Sequence, residues 1–219
     1  MTDGEIGENP CRRVSRFKGE VSRTRYLCPE DNEEERILAA MTGRRAHLRE
    51  IVELYLALGL RQMELLSLTS DMVDFHRDVV HIKNAKGYVD REVPMNERSR
   101  TIFRRLVSDA KSHGRNFLFV SPKTGQRLKS IKSAWANACR AAGISDLRVH
   151  DLRHTFGTRA ADGGAPLPAI KDVMGHKSVK TTERYTHATD EAKRRTMEIA
   201  GRKVVVKMDT KWTQKVARG

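Results

Sequence analysis

Cysteine is scarce, with three in 219 residues, and Cys11, Cys28 and Cys139 are too scattered for any pair to hold metal-ligand spacing. An odd, dispersed set argues against a disulfide framework and a cysteine-based zinc site. It fits a reducing compartment, most simply a cytoplasm. No basic-then-apolar signal follows the opening Met1-Thr-Asp-Gly-Glu. No long apolar run or strongly amphipathic basic helix stands out, which ranks membrane binding low, and no internal repeat is present. Acidic residues are also short: 28 Asp plus Glu face 42 Lys plus Arg, a formal net charge of +14. A field of that sign concentrates polyanions, of which nucleic acid is the commonest. Hydrophobic content is 38% and charged content 32%, a polar balance for a globular protein. Leu, Ile, Val and Phe nonetheless recur at helical spacing, so the chain is long enough for one domain with a real core and an appendage.

Residues 1–29 read as an extended basic lead-in, with Arg12, Arg13, Arg16, Lys18, Arg23 and Arg25 before Pro29. From Glu30 the pattern is helical, with Glu30, Asp31, Glu33 and Glu34 where a helix dipole favours acids. A second helix is predicted over 46–58, since Leu48, Ile51, Val52, Tyr55 and Leu56 keep the spacing of a buried face. Gly59 breaks it, and a short helix runs through Glu64 and Leu65. The period then shortens: 72–75, 79–82 and 89–93 read as three strands of a small antiparallel sheet, with turns at Asp78 and Gly87. Helices return over 96–112, 131–142, 151–161, 167–174 and 189–200, with an apolar 117–120 and a loop at 122–126 among them. The expected fold is α+β, mainly helical, with a three-stranded antiparallel sheet. Its domain spans 30–201, and 202–219 form a basic tail.

The densest chemical signal is His150-Asp-Leu-Arg-His154. On a helix, His150, Arg153 and His154 fall on one face, with Leu152 and Phe156 on the buried side. A guanidinium beside imidazoles suits an anion, because arginine presents a planar fork of donors to a phosphate. A solvated polar face is the bland alternative. The H-x-x-x-H spacing is also that of a helical zinc site. Against zinc, Arg153 would sit beside a dication, and no third ligand lies at a standard offset. A second signal runs from Gly175-His176 to Tyr185-Thr-His187, with Gly175 placed as a helix C-cap. Taken singly, His176 reads as a surface histidine and Tyr185 as a half-buried aromatic.

Together these residues resemble the tyrosine recombinases, or phage-type integrases. That pattern is an arginine after a Gly-Leu helix start, a hairpin lysine, H-x-L-R-H, then G-H and a tyrosine nine residues on. Gly59-Leu60-Arg61 with Glu64-Leu65 matches the first box, and Lys86-Gly87, five residues before Arg91-Glu-Val-Pro94, matches the second. His150, Arg153, His176 and Tyr185 complete a set in one order, over residues 28–188. Lys83 lies near Lys86, and the register from Arg91 favours Lys86. His154 matches a supporting position.

The resemblance implies a site-specific recombinase acting on double-stranded DNA through a covalent 3′-phosphotyrosyl intermediate, with no metal or nucleotide cofactor. Tyr185 would be the nucleophile, storing the phosphodiester energy in its ester. Arg61 and Arg153 would clamp nonbridging oxygens. Lys86 would protonate the leaving 5′ oxygen, His150 would exchange a proton with Tyr185, and His176 would hydrogen-bond the phosphate. Relatives also carry an N-terminal helical domain that grips the far side of the duplex. Residues 1–29 are too short for one, so the chain reads as a catalytic domain with its linker. A type IB topoisomerase and a catalytically idle DNA-binding module are the competing readings; Gly175-His176 and the intact six-residue set disfavour them. The apolar members of 189–200, among them Met197, are expected to pack on the same domain or on neighbouring protomers assembled on DNA.

Overall fold

The helix over Ala46–Leu58 organises the molecule because its apolar residues cover a broad face. Leu48, Ile51, Val52, Leu54, Tyr55, Leu56 and Leu58 are all buried. A helix of that kind must be covered from several directions. In the computed structural model, which describes residues 25–83 and 90–176 together with 178, 181, 182, 197 and 198, this helix (α2) packs on α6 (Val149–Asp162) and on α4 (Glu97–Ser112). The other helices are α1 (Glu33–Ala39), α3 (Gln62–Leu66), α5 (Lys132–Ala141) and α7 (Leu167–Met174). Strands β1 (Val73–Asp74), β2 (Val79–Ile82) and β3 (Arg91–Pro94) form one antiparallel sheet in the order β1-β2-β3. The mainly helical α+β class is thus the one that the periodicity predicts. Lys86, Tyr185, most of 189–200, the first 24 residues and the tail 202–219 lie outside the described residues.

Helices α2 and α7 have their expected bounds. The helix expected from Glu30 begins at Glu33 instead, because Asn32 sits in the left-handed region at φ 49° and cannot be a helical residue. Asn32 N–H closes a turn on Pro29 O at 3.1 Å, so Glu30 and Asp31 precede the helix. Helix α6 begins earlier than expected, at Val149. Asp151 is its third residue, and the carboxylate reaches back to accept Arg148 N–H at 2.8 Å. Within the expected lead-in, Leu27 is buried in the core, and its N–H donates to Thr155 Oγ1 at 3.0 Å.

The sheet lays one row of side chains on the helices: Val73, Val80 and Val93 are paired across the strands and buried. Asp78 takes φ 54° at the first turn, as its turn chemistry predicts. Ile82 stands opposite Arg91 where the described part of the β2–β3 pair ends. Strand β1 is shorter than expected, because Ser70–Met72 form a 3-10 turn in front of it. No helix among the described residues is long and apolar enough to cross a membrane.

The end of α2 fixes where α6 can lie. Gly59 caps it at φ 61°, and a β-carbon there would stand 2.3 Å from Phe156 Cδ1. Gly59→Ala should therefore cost roughly 2–4 kcal/mol in urea unfolding, backbone strain and overpacking combined. In a Phe156→Ala background the cost should fall to roughly 1–2 kcal/mol, the strain alone. Equal costs in the two backgrounds would show that the ring is not what excludes a side chain.

Candidate active site

Arg61 stands at the N-cap of α3 in extended conformation, between the Gly59 turn and the helix. Three residues on, Glu64 turns back on it. Glu64 Oε2 accepts Arg61 N–H at 2.8 Å, and Oε1 accepts Arg61 Nη1 at 2.8 Å. Arg91 reaches the same carboxylate from β3, Nη1 donating to Oε1 at 3.0 Å and Nη2 to Oε2 at 2.8 Å. Burial pushes the Glu64 carboxyl up. The hydrogen bonds of Arg91 and of Arg61 N–H, with the Arg91 charge, outweigh that and bring it down from an ordinary 4.5 to about 2.

The guanidiniums are anchored a second time, on helix ends. The last carbonyls of an α-helix have no partner in its own ladder and carry the negative end of its dipole. Arg153 Nη1 donates to Gly59 O, at the end of α2, at 2.7 Å, and Arg153 Nη2 donates to Met174 O, at the end of α7. Arg61 Nη2 donates to Gly175 O at 2.7 Å, and Arg91 Nε to Val173 O at 3.0 Å. Three guanidiniums and one carboxylate therefore meet where α2 and α7 finish. Those four side chains carry a surplus of two positive charges, since an arginine side chain does not deprotonate.

This corrects the expected helix face. Arg153 is 2% exposed, buried between two helix ends, while His150 beside it is exposed and His154 half-buried. The His150 and His154 rings meet edge to face with centroids 4.8 Å apart. Among the described residues, no group of three or more His, Cys, Asp or Glu side chains is placed to hold a metal ion. A pocket of about 210 Å³ opens against this helix, lined by His150, Arg153, Val149, Gln62, Leu60 and Tyr55. His176 follows the Gly175 cap; its N–H donates to Lys171 O at 3.0 Å, and its Nδ1 lies 2.9 Å from the hydroxyl of the fully buried Thr182.

The fold thus gathers Arg61, Arg153 and His176 about the end of α7 and sets His150 and Arg153 on one pocket. Lys86 and Tyr185 fall outside the described residues. Sequence reasoning assigned no role to Glu64, Arg91, Thr182 or Tyr55. For Glu64 there was a signal, the acid three residues into a helix that begins at Arg61. For Arg91 there was none, because its partners lie 27 and 82 residues away.

The sequence model of the phage integrase family matches residues 30–192. The tyrosine recombinase XerC of Bifidobacterium longum is 34% identical over 166 residues, covering 70% of this chain and 46% of that protein. A crystal structure of XerA recombinase superposes with a TM-score of 0.66 at 28% identity, covering 81% of this chain and 65% of that one. The Tn1549 transposon integrase in complex with circular intermediate DNA has the same fold, with a TM-score of 0.69 at 23% identity, covering 83% of this chain and 68% of that one. The chain spans about half the length of the XerC relatives it matches, 46% and 51% in two of them.

Glu64 makes a prediction about pH. Its folded pKa of about 2 lies below the ordinary 4.5. The stability it contributes is therefore present above the unfolded value and lost as pH falls through the folded one, on the order of 3 kcal/mol in all. Glu64→Gln should be less stable than the natural protein near neutrality, and the gap should close progressively from about pH 5 to about pH 2. A gap that stays constant over that range would mean that the carboxylate charge is not what the two arginines need.

Proposed function

The chain belongs to the phage integrase family, as a tyrosine recombinase catalytic domain, and on that premise we propose that it cleaves and rejoins double-stranded DNA at specific sites through a phosphotyrosine at Tyr185. The observation that carries the reading is the guanidinium surplus held on two helix ends, beside His150 and one residue before His176. Such a site is complementary to a phosphate whose charge grows as a fifth oxygen approaches phosphorus. Because the donors are already fixed to backbone carbonyls, they need no reorganisation when the charge appears.

Tyr185 Oη attacks phosphorus, forming the tyrosine ester at the DNA 3′ end while the bond to the 5′ oxygen breaks. His150 takes the phenol proton and Lys86 gives one to the leaving oxygen. Arg61 and Arg153 hold the nonbridging oxygens, and His176 adds a hydrogen bond. In the second step a 5′ hydroxyl attacks the ester and restores the phosphodiester, so no nucleotide cofactor is consumed. Arg44 and Lys123, which with His47 line a second concavity of about 540 Å³, offer further positive charge to the DNA backbone. Met197, in the segment expected to form the last helix, is 72% exposed, which supports docking on a neighbouring protomer when several domains share a recombination site. The basic lead-in 1–29 would be the interdomain linker and 202–219 a tail. Free Cys28 and Cys139 suit work in a reducing cytoplasm.

A second tyrosine borders the pocket, and it tests the assignment. Tyr55 is 1% exposed and its hydroxyl has no hydrogen-bond partner among the described residues. Burial, then the Glu64 charge, raise its pKa above that of a free phenol, which makes it a poor nucleophile. We expect protein incubated with nicked duplexes of randomised sequence to yield DNA that stays attached through denaturation, and yields to be unaffected by EDTA. On the recovered sequence, Tyr185→Phe should abolish the adduct while Tyr55→Phe retains it. Adducts formed by Tyr185→Phe would move the nucleophile elsewhere, and loss on chelation restored by zinc would revive a metal site at His150 and His154.

A further inference from the structure

We propose that Arg91 is a positioning residue for DNA cleavage: it holds Glu64, and through it the Arg61 guanidinium, and it ties the hairpin strand to the turn that presents His176. The inference rests on the recombinase reading above, and it concerns a residue outside the pocket lining.

Every donor on the Arg91 guanidinium edge facing the site is engaged. Nη1 and Nη2 span the two oxygens of Glu64, and Nε donates to Val173 O. The side chain is 11% exposed. Both Glu64 oxygens are shared, Oε1 between Arg61 Nη1 and Arg91 Nη1, and Oε2 between Arg61 N–H and Arg91 Nη2. The carboxylate that orients Arg61 is therefore itself oriented by Arg91. Without Arg91, a buried carboxylate would rotate toward Arg61 alone or toward water, and the Arg61 plane would turn with it.

The same guanidinium also sets the turn before His176. Gly175 has φ 64°, and a β-carbon on it would lie 2.7 Å from Arg91 Nη1 and 2.8 Å from Cζ. Arg91 thus lies flat against the backbone whose carbonyls at 173 and 175 receive Arg91 and Arg61. On the other side, Arg91 is the first residue of β3, five positions after Lys86. One side chain thereby links the hairpin that would carry the acid, the arginine that would hold the phosphate and the turn that precedes the histidine. These parts come from three separate segments and must act on one phosphorus atom.

Lysine at 91 keeps the charge but cannot span two carboxylate oxygens and a carbonyl at once. We expect Arg91→Lys to leave duplex affinity within about twofold, because the side chain is 11% exposed, turned to Glu64 and Val173 O, and its charge is kept. Its rate of covalent adduct formation should fall at least tenfold. In an Arg61→Lys background the same change should cost less than about twofold, since its effect passes through Arg61. Independently of activity, exchange of the Arg61 Nε–H with water, followed by NMR, should be at least several-fold faster in Arg91→Lys. An unchanged exchange rate would overturn the proposal, as would Arg91→Lys and Arg61→Lys effects that multiply. If the natural protein forms no adduct, the recombinase reading fails, and the exchange measurement still decides whether Arg91 positions Arg61. Should Arg91→Lys fold poorly, Gly175→Ala, which displaces the Arg91 guanidinium while keeping every charge, should give the same exchange result, and unchanged exchange in that variant would overturn it.

Discussion

Two arginines, Arg61 and Arg91, share one buried carboxylate beside the helix ends that anchor Arg153, and much of the molecule is arranged to allow it. Glu64 stays ionised only because Arg91 and Arg61 surround it, since burial by itself would favour the neutral acid. In turn, the guanidiniums are neutralised only in part, and the remaining charge is spread over the last carbonyls of α2 and α7. Those carbonyls exist as acceptors because both helices stop at a glycine in the left-handed region. A side chain at either glycine would strike Phe156 or Arg91. The helix ends, the glycines and the ion cluster are thus one constraint rather than three.

On its buried side, helix α2 is covered by α4 and α6, and it ends at Gly59, whose carbonyl receives Arg153. Among the residues it buries, Tyr55 brings a hydroxyl with no partner among the described residues, one turn before that end. Burying an unpaired hydroxyl costs stability, and natural proteins tolerate such costs mostly near functional sites.

What was legible in the sequence followed from local rules. The bounds of α2 and α7 came from apolar spacing closed by a glycine, and the strands from a change of period at Met72 with a turn at Asp78. The misplacements were local rules overridden. Asn32 in a left-handed turn delays α1, and the Asp151 carboxylate starts α6 early. For the candidate site, motif spacing named Arg61, His150, Arg153 and His176, but only as residue types. The helical wheel put Arg153 on an open polar face. Tertiary structure instead buried it, because the ends of α2 and α7 offer it carbonyls that no wheel can show. Arg91 was beyond reach for the same reason: an ion pair 27 residues long has no periodicity.

The surplus charge has an energetic meaning of its own. Guanidinium charges held close together repel, and the repulsion is strongest where water is excluded. The folded domain tolerates it because helix-end carbonyls are fixed dipoles that cannot swing away, unlike surface carboxylates, which would neutralise the site and compete with a phosphate. Helix ends therefore solve a problem that acidic side chains would not. They hold cations in place without cancelling them, leaving the strongest counter-charge to be supplied from outside. By that logic the single carboxylate is confined to the inner side of the cluster, where it orients Arg61. An additional acid on the pocket side would stabilise the free domain and weaken its hold on the transition state by a comparable amount.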